Sequence, residues 1–338
     1  MSGNPIVSVV IRNRNGREVI CKCIESVLRS TLKNIEIIVV DDASTDNSPE
    51  LVEKKYSRYG VEVIRLKRNV GPAVASNIGA YVAKGKYIAF LDNDTEVTPN
   101  WLKYPLKLME TKRDIVVVQS LLLKTNEKKI DSAGHYLHIL SQPIEVIFLG
   151  KTPRSIYEIF GAKQAAMIVR RDALIKAGGF DKDFFFYFEE TDLCWRLRLM
   201  GYKVVLCPYS IVYHKGGHIM GKKKAKVLFY RERNTLLAMM KNYSLTNLLK
   251  YLPLRLILDS LSTIALIILN KPHYAFALIK AIMQVFSPKI LRKTMKKRAY
   301  VERYLRKLSD REAMKNLTIS NIALLLRYLM WRVNVEGY

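Results

Sequence analysis

Acidic residues are scarce in this chain. It holds 30 Asp and Glu against 56 Lys and Arg in 338 residues, a formal net charge of +26. An excess of that size asks for an anionic partner: nucleic acid, an acidic membrane surface or a phosphorylated ligand. Cysteine is scarcer still. Cys21, Cys23, Cys194 and Cys207 form no CxxC pair, and Cys21 and Cys23 stand too close for an easy bridge. A disulfide scaffold and a cysteine-bound zinc are therefore not expected, and the thiols read as reduced ones in a cytosolic protein. The opening residues, MSGNPIVSVV, lack the basic-then-apolar layout of a signal peptide. Low-complexity segments and internal repeats are missing. Long apolar runs are missing as well. LPLRLILDSLSTIALIILN (252–270) is interrupted by Arg255 and Asp259, leaving about ten uninterrupted residues where a membrane span needs about twenty. YAFALIKAIMQVF (274–286) and LTISNIALLLRYLMWRV (317–333) are similarly short.

What remains is ordinary globular composition, 49% hydrophobic and 25% charged, at a length that suggests two domains. The first ninety residues alternate strand and helix signals. IVSVVI (6–11), IEIIVVD (35–41), VEVIRL (61–66) and KYIAFLDND (86–94) read as strands. Between them, residues 17–30 place Val19, Ile20, Cys23, Ile24, Val27 and Leu28 on one helical face. Asn47, Ser48 and Pro49 open a second helix to about Tyr56, and 71–85 form a third, rich in small residues and closed by Gly85. Strands this apolar, spaced by helices, predict a parallel sheet covered on both faces. Farther on, a helix (99–111), a strand (115–123), a poorly periodic stretch to about 165, a strand and helix (161–180), a helix (189–202) and a strand (203–208) are expected. From residue 222 onward 24 Lys and Arg stand against 6 Asp and Glu, interleaved with apolar helical stretches.

Two carboxylate groups mark strand ends. VVDDASTDNS (39–48) carries Asp41 and Asp42 at the end of a buried strand. Like charges repel there, so such a pair is best placed at the edge where ligands of open α/β sheets dock. FLDND (90–94) carries Asp92 and Asp94, two apart and able to face one site from an extended chain. Carboxylate oxygens suit a hard divalent cation whose other ligands a diphosphate supplies. A lone DxD is more often a polar turn. Here Asp41-Asp42 ends a second strand, Asn13 follows the first, and the order is β-α-β-α-β-α-β-DxD.

The layout VSVVIRNRNG … CIESVLRSTLKNIEIIVVDDASTDNS … RNVGPAVASNIGAYVAKGKYIAFLDNDTEV resembles the inverting family-two glycosyltransferases. FFFYFEETDLCWRLRLMGYKVVLCPYSIVYHKGGH is similar to their rhamnosyltransferase-like and galactofuranosyltransferase-like members. The resemblance covers about residues 5–240. It implies an α/β fold of the GT-A type, Rossmann-like with a mostly parallel central sheet, over residues 1–225; composition and apolar pattern mark a basic, amphipathic helical region over 226–338. It further implies a donor site for a nucleotide-diphosphate sugar. Asp42 or its neighbour Asp41 would hold the base or ribose, and Asn13 and Arg14 would border the nucleotide. Arg68, Asn69, Gly71 and Ala75 would line the sugar-nucleotide pocket, with Asp92 and Asn93 beside them. Asp92, Asp94 and His214 would bind Mn²⁺ or Mg²⁺, with Asp94 the direct ligand.

An inverting transfer needs a base for the acceptor proton. The family usually places Glu-Asp at the start of a helix for it, and Glu189-Glu190 stands there in this sequence. Glu190 is the expected base and Asp192 the second candidate. On a helix the two point about 200° apart, so they cannot serve one hydroxyl equally. Glu189 or Asp192 is expected to cap the helix or favour its dipole, with Trp195 packing and Arg196 pairing a carboxylate. Gly216, Gly217 and His218 read as a diphosphate-contacting loop or a plain turn. His135 and His138 read as an acceptor-side hairpin rather than a metal site.

Apolar faces with basic flanks suit a helix lying in an anionic membrane interface; the alternative is a helical subdomain packed on the enzyme. The expected activity is metal-dependent transfer of a sugar to a glycan or lipid-linked glycan, on the cytoplasmic face of the membrane. A polyprenyl-phosphate sugar synthase of the same fold is the alternative. A nucleic-acid-binding protein has only the charge in its favour, because no reading helix, RNP motif or zinc finger is present.

Overall fold

A computed structural model describes residues 4–125, 129–149, 153–216 and 224–320. Four strands, β1 (Val7–Asn13), β2 (Ile35–Asp41), β3 (Val61–Arg65) and β4 (Tyr87–Asp92), are joined by helices α1 (Ile20–Leu28), α2 (Ser48–Tyr56) and α3 (Pro72–Val82). They pair in parallel in the order β3-β2-β1-β4, as the apolar runs predict. β5 (Thr95–Val97), α4 (Lys103–Thr111) and β6 (Ile115–Lys124) follow. The poorly periodic stretch folds as short strands, β7 (Ile130–Ser132), β8 (His135–His138), β9 (Pro143–Glu145) and β10 (Tyr157–Glu158). Pieces of two to four residues are too short to show a period. β11 (Ala166–Arg170), α5 (Arg171–Lys176), α6 (Glu189–Leu199) and β12 (Lys203–His214) complete the sheet, ordered β10-β12-β6-β11-β4-β1-β2-β3. β11 runs antiparallel to both β4 and β6.

Alternation along each strand splits the apolar residues between two cores. Val10, Ile38, Val40, Ile88 and Phe90 face one side, against α3, α5, α6 and the later helices. Val9, Ile11, Ile37, Val39, Ala89 and Leu91 face the other, against α1, α2 and α4. α3 lies close because its residues are small. A Cβ on Gly79 would collide with Val10 Cγ1 on the strand beneath.

β12 departs from expectation. The strand expected at 203–208 continues to His214, because a register irregularity between Cys207 and Ile211 lets it keep pairing with β6. Its last residues also pair with β5, Val212 opposite Val97 and His214 opposite Thr95. That pairing carries His214 back to the residue that follows Asp94.

The C-terminal part comprises α7 (Lys224–Asn242), α8 (Leu245–Ile268), α9 (Pro272–Val285), α10 (Pro288–Tyr300), α11 (Asp310–Ala313) and a final strand β13 (Thr318–Ile319) beside β8. α7 is buried over most of its length. The expectation of short apolar pieces needs correcting at α8. Its 24 residues form one helix, long and apolar enough to cross a membrane by length and composition. Arg255 and Asp259, one turn apart, share the inner face and pair at 2.9 Å, and Arg255 also pairs with Glu232 of α7. The charges that interrupt the sequence therefore leave the outer face uninterrupted. Of the 317–333 stretch, residues beyond 320 lie outside the described ones.

Gly79→Ala should destabilise the fold. The added methyl must displace β-branched Val10 on a central strand, and overpacking of this kind costs about 1–3 kcal/mol, more than the ~1 kcal/mol that Ala gains over Gly in a helix. A lower denaturant midpoint at unchanged slope is the expected result.

Candidate active site

Strand register assembles the site. β1 lies between β2 and β4, with Asn13 opposite Asp41 and Arg12 opposite Asp92. The carboxyl ends of three parallel strands thus meet at one edge, where Asp41, Asp42, Asp92 and Asp94 all stand.

The Asp41-Asp42 pair divides its work. Asp41 is buried; Oδ1 accepts from Asn13 Nδ2 at 2.7 Å and from Ser44 Oγ at 2.5 Å, and Oδ2 accepts from Ser44 N at 2.9 Å. It fastens the loop. Asp42 accepts from Val70 N at 2.7 Å and Gly71 N at 3.0 Å, one oxygen each, so lone pairs are left over. Asn13, expected to border a nucleotide, is a buried hub. Its Nδ2 also donates to Ser48 Oγ at 2.7 Å, and its Oδ1 accepts from Asn93 Nδ2 at 2.8 Å. Asn13 keeps its amide turned inward, while Asn93 is partly exposed. Gly16 makes room for both, since a Cβ there would collide with them. Arg14 is exposed and donates to the Asp42 carbonyl at 2.6 Å; Arg68 and Asn69 are also exposed. Gly71 has φ +82°, and a Cβ there would strike the Phe185 carbonyl, so this position needs glycine. Ala75 is a correction: it lies on the buried face of α3, in the core, and offers no pocket wall.

Asp92, Asp94 and His214 converge. One ligand atom from each lies within 4.8 Å of the others, the one such group of three among the described residues. His214 Nε2 is 3.3 Å from Asp94 Oδ1, and its Nδ1 is 2.9 Å from Asp131 Oδ2. Burial disfavours the imidazolium, but the hydrogen bonds to Asp131 and Asp94 and the charges of Asp94 and Asp92 outweigh it and push the His214 pKa up to about 10. Once a cation displaces the His214 proton, two carboxylates and an imidazole are a donor set that Mn²⁺ or Mg²⁺ accepts, and Asp131 behind the ring is the orienting carboxylate such histidines usually have. Asp92 is also engaged by Arg12.

The acids of α6 separate sharply. Asp192 is fully buried, paired with Arg196 at 2.9 Å and Lys241 at 2.8 Å, and accepts from Asn242 Nδ2 at 2.8 Å. Burial opposes its charge, yet Lys241 and Arg196 hold it below the usual carboxylate range. So occupied, Asp192 has nothing to offer an acceptor hydroxyl, which corrects the expectation of a second candidate base there. Glu189 is buried, with Oε2 lacking a hydrogen-bond partner among the described residues. Glu190 is partly exposed. Desolvation pushes both above the ordinary glutamate value, against the pull of Arg12 on both and of Lys163 on Glu190. The repulsion between the two acids adds to the rise of Glu189.

His135 and His138 do not make a metal site. His135 Nε2 lies 3.1 Å from Thr191 Oγ1, and His138 Nδ1 accepts from Leu140 N at 3.1 Å. Burial, aided by Lys163 and Arg255 respectively, pushes them down to about 3 and about 4. They stand in a β8–β9 hairpin. Gly217 and His218, expected in a loop or turn, lie outside the described residues. The cysteines are free, and burial pushes Cys23 and Cys194 up to about 12.

Sequence reading missed Arg12, Asp131 and Lys163. Arg12 had a signal, because it precedes Asn13 on a strand whose end was already singled out. Asp131 and Lys163 had none: each lies in or beside the stretch without period.

Comparison with known proteins bears on this geometry. The sequence model described as Glycosyl transferase family 2 matches residues 8–178. An Escherichia coli relative, UDP-Glc:alpha-D-GlcNAc-diphosphoundecaprenol beta-1,3-glucosyltransferase WfaP, is 40% identical over 111 residues, 32% of this chain and 43% of its own. The chain spans less than half the length of the curated relatives it matches. Among solved structures, GalNAc-T7 with UDP, GalNAc and Mn²⁺ superposes with TM-score 0.62 at 20% identity, covering 91% of this chain and 59% of that one. The mannosyltransferase PcManGT of Pyrobaculum calidifontis, in complex with GDP-Man and Mn²⁺, gives 0.53 at 15%, covering 89% and 86%. At those identities the structures speak for the fold, which is GT-A. The family model covers half of the chain and all four parallel strands that carry the acidic edge, and on that ground the chain belongs to glycosyl transferase family 2.

Proposed function

We propose that this protein is an inverting, metal-dependent glycosyltransferase that moves a sugar from a nucleotide-diphosphate donor to a hydroxyl of a glycan or lipid-linked glycan. The observation that carries the reading is the meeting of Asp92, Asp94 and His214 at a sheet edge whose charges act on the buried Glu189 and the partly exposed Glu190. Residues 1–225 are the catalytic unit in this reading, and 226–338 a helical region that serves it. Relatives and structural neighbours named for UDP-Glc, UDP and GDP-Man support a nucleotide-sugar donor.

Asp42, with lone pairs to spare, faces the nucleoside, and Arg14, Arg68 and Asn69 are the exposed groups around it. Asp92, Asp94 and His214 would hold Mn²⁺ or Mg²⁺. Bound there, the cation would neutralise the departing diphosphate. Glu190 accepts the proton of the acceptor hydroxyl as its oxygen attacks the anomeric carbon. The bond from that carbon to the diphosphate breaks on the opposite side, and the electron pair leaves with the phosphate oxygen. The raised affinity of Glu190 for protons suits a base that must take one near neutral pH.

The outer face of α8 and α9 supports a membrane partner. Leu254, Ile257, Leu261, Ile264 and Ile268 are exposed along one stripe of α8, and Phe276, Ile279 and Met283 along α9. Lys250, Lys280, Lys289, Arg292, Lys293 and Lys296 are found in the same region. The inner face is held to α7 through Arg255, Asp259 and Glu232. A helix packed on one side and apolar on the other suits the interface plane of an anionic leaflet rather than a span. We assign it to the cytoplasmic leaflet, where each nearby basic residue contributes about 1 kcal/mol.

Asp131→Asn should weaken Mn²⁺ binding by about 10–100-fold, because it frees the ring that Asp131 orients. Calorimetric titration reads this without turnover, and unchanged affinity would remove the metal role of the His214 pair.

Glu190→Gln should keep its stability and donor affinity and lose about 10²–10⁴-fold in transfer. In the parent chain transfer should rise with pH through a midpoint above the ordinary glutamate value, since the base works only deprotonated; the variant should lack that limb. Asp192→Asn should instead lower stability, by about 3 kcal/mol, by weakening a buried pair. Normal transfer by Glu190→Gln, or a product of retained configuration by NMR, would reject the mechanism.

The whole chain should co-sediment with anionic but not neutral vesicles, and less so in salt. Leu261→Glu with Ile264→Glu, both on the exposed stripe, should abolish this without unfolding. If the parent chain ignores anionic vesicles, the face is not a membrane surface.

A further inference from the structure

The turn that delivers Glu189 and Glu190 is held in a form its own residues disfavour. Phe185, Tyr187 and Phe188 have φ of +52°, +66° and +73°. Aromatic residues seldom take up this left-handed region, and three within four positions do not persist unless the surroundings impose them. Glycine is absent from 184–188.

One side chain of α7 meets three carbonyls of the turn. Asn234 is fully buried, and its Nδ2 donates to the carbonyls of Phe184 at 2.8 Å, Phe186 at 2.8 Å and Tyr187 at 2.7 Å. Two amide hydrogens therefore serve three acceptors, all of them in the turn. Arg233 Nη1 donates to Asn234 Oδ1 at 2.8 Å and to the Asp183 carbonyl at 2.9 Å, which fixes which way the amide faces. The start of the turn is pinned as well: Lys241 pairs with Asp181 at 2.6 Å, and Lys293 and Lys297 of α10 reach Asp183, with Lys297 also on Asp181. Phe185 stacks on Tyr230 with centroids 5.4 Å apart. On its other side the Phe185 carbonyl abuts Gly71, whose N–H donates to Asp42.

We propose that Asn234 is a positioning residue for sugar transfer: by holding the carbonyls of 184, 186 and 187 it sets the left-handed turn that orients Glu190. This rests on the reading of Glu190 as the base. The helical region is then part of the catalytic apparatus as well as a docking surface. Glu232 and the Met240 carbonyl tie α7 to Arg255 of α8 and Arg298 of α10, whereas all three Asn234 Nδ2 bonds end on the turn.

The test uses the whole chain with Asn234→Asp, which keeps the shape and removes the donors. Transfer kcat should fall by about 100-fold, the scale of a 1 Å misplacement, while donor affinity changes less than about threefold. Hydrogen exchange at the amides of 184–188 should accelerate, with the rest of α7 unchanged. Tyr187→Gly in the Asn234→Asp background should restore part of the loss, because glycine takes a positive φ without strain; a role in α7 packing would not be rescued. Glu190→Gln is run in parallel. Full transfer by Glu190→Gln would sink the base assignment while leaving the exchange result to judge the turn. If Asn234→Asp leaves both kcat and exchange at 184–188 as in the parent, or if it slows kcat with no rescue by Tyr187→Gly, the proposal is overturned. Should Asn234→Asp fail to fold, Arg233→Met frees the amide to flip. It should then slow kcat and speed exchange at 184–188 in the same way, and parent-like values of both would overturn the proposal.

Discussion

The register of β4, β1 and β2 governs where every polar group of the site can stand. Parallel strands put their carboxyl ends on one edge, and the pairing of Arg12 with Asp92 and Asn13 with Asp41 places a cation and an amide between two sets of acids. Asp41, Asp42, Asp92 and Asp94 at one edge would repel without them. Arg12 takes up an Asp92 oxygen and Asn13 takes up Asp41. A slip of one residue would turn these side chains to the opposite face of the sheet and leave the acids uncompensated. The acidic edge thus depends on a strand register set mainly by the two apolar cores.

A second set of charges joins α6 and the segment before it to the C-terminal helices. Buried Asp192 and part-buried Asp181 share Lys241, and Arg196 closes the set from within α6. Arg196 also donates to the carbonyl of Gly179, and Lys297 reaches Asp181 from α10. Buried ions of this kind stabilise little relative to apolar packing, but removing one member strands the others without solvent. Lys241 and Asn242 thus fasten α7 to Asp192 of α6. The position of the acids at the start of α6 is therefore inherited in part from α7 and α10, which follow it in sequence.

The net charge of +26 has two destinations. Part is internal: Arg196, Arg198, Lys241 and Arg255 are buried and hold carboxylates or carbonyls. Part stays exposed on α9 and α10 beside apolar side chains that no other described element covers. Counting charges along the chain does not separate the two, since both kinds are interleaved in the C-terminal third.

Much of the architecture was legible from local pattern. Buried parallel strands are apolar without a break, and β1 to β4 announced themselves so; the GT-A reading and the family assignment agree with that pattern. The DxD and the acids of α6 were visible because chemistry at a strand or helix end leaves polar residues where the period stops. Tertiary structure decided the rest. It turned Asp41, Asn13 and Ala75 inward, because burial depends on what packs above a residue and not on its neighbours in the chain. It engaged Asp192 with Lys241, about fifty residues away. It brought His214 to Asp94 through a register irregularity in β12, and Asp131 to His214 from a segment with no period at all. It joined two apolar pieces across Arg255 and Asp259 by giving both charges one inner face. In each case the deciding contact is long-range, and a local period carries no record of the partner that a distant segment supplies.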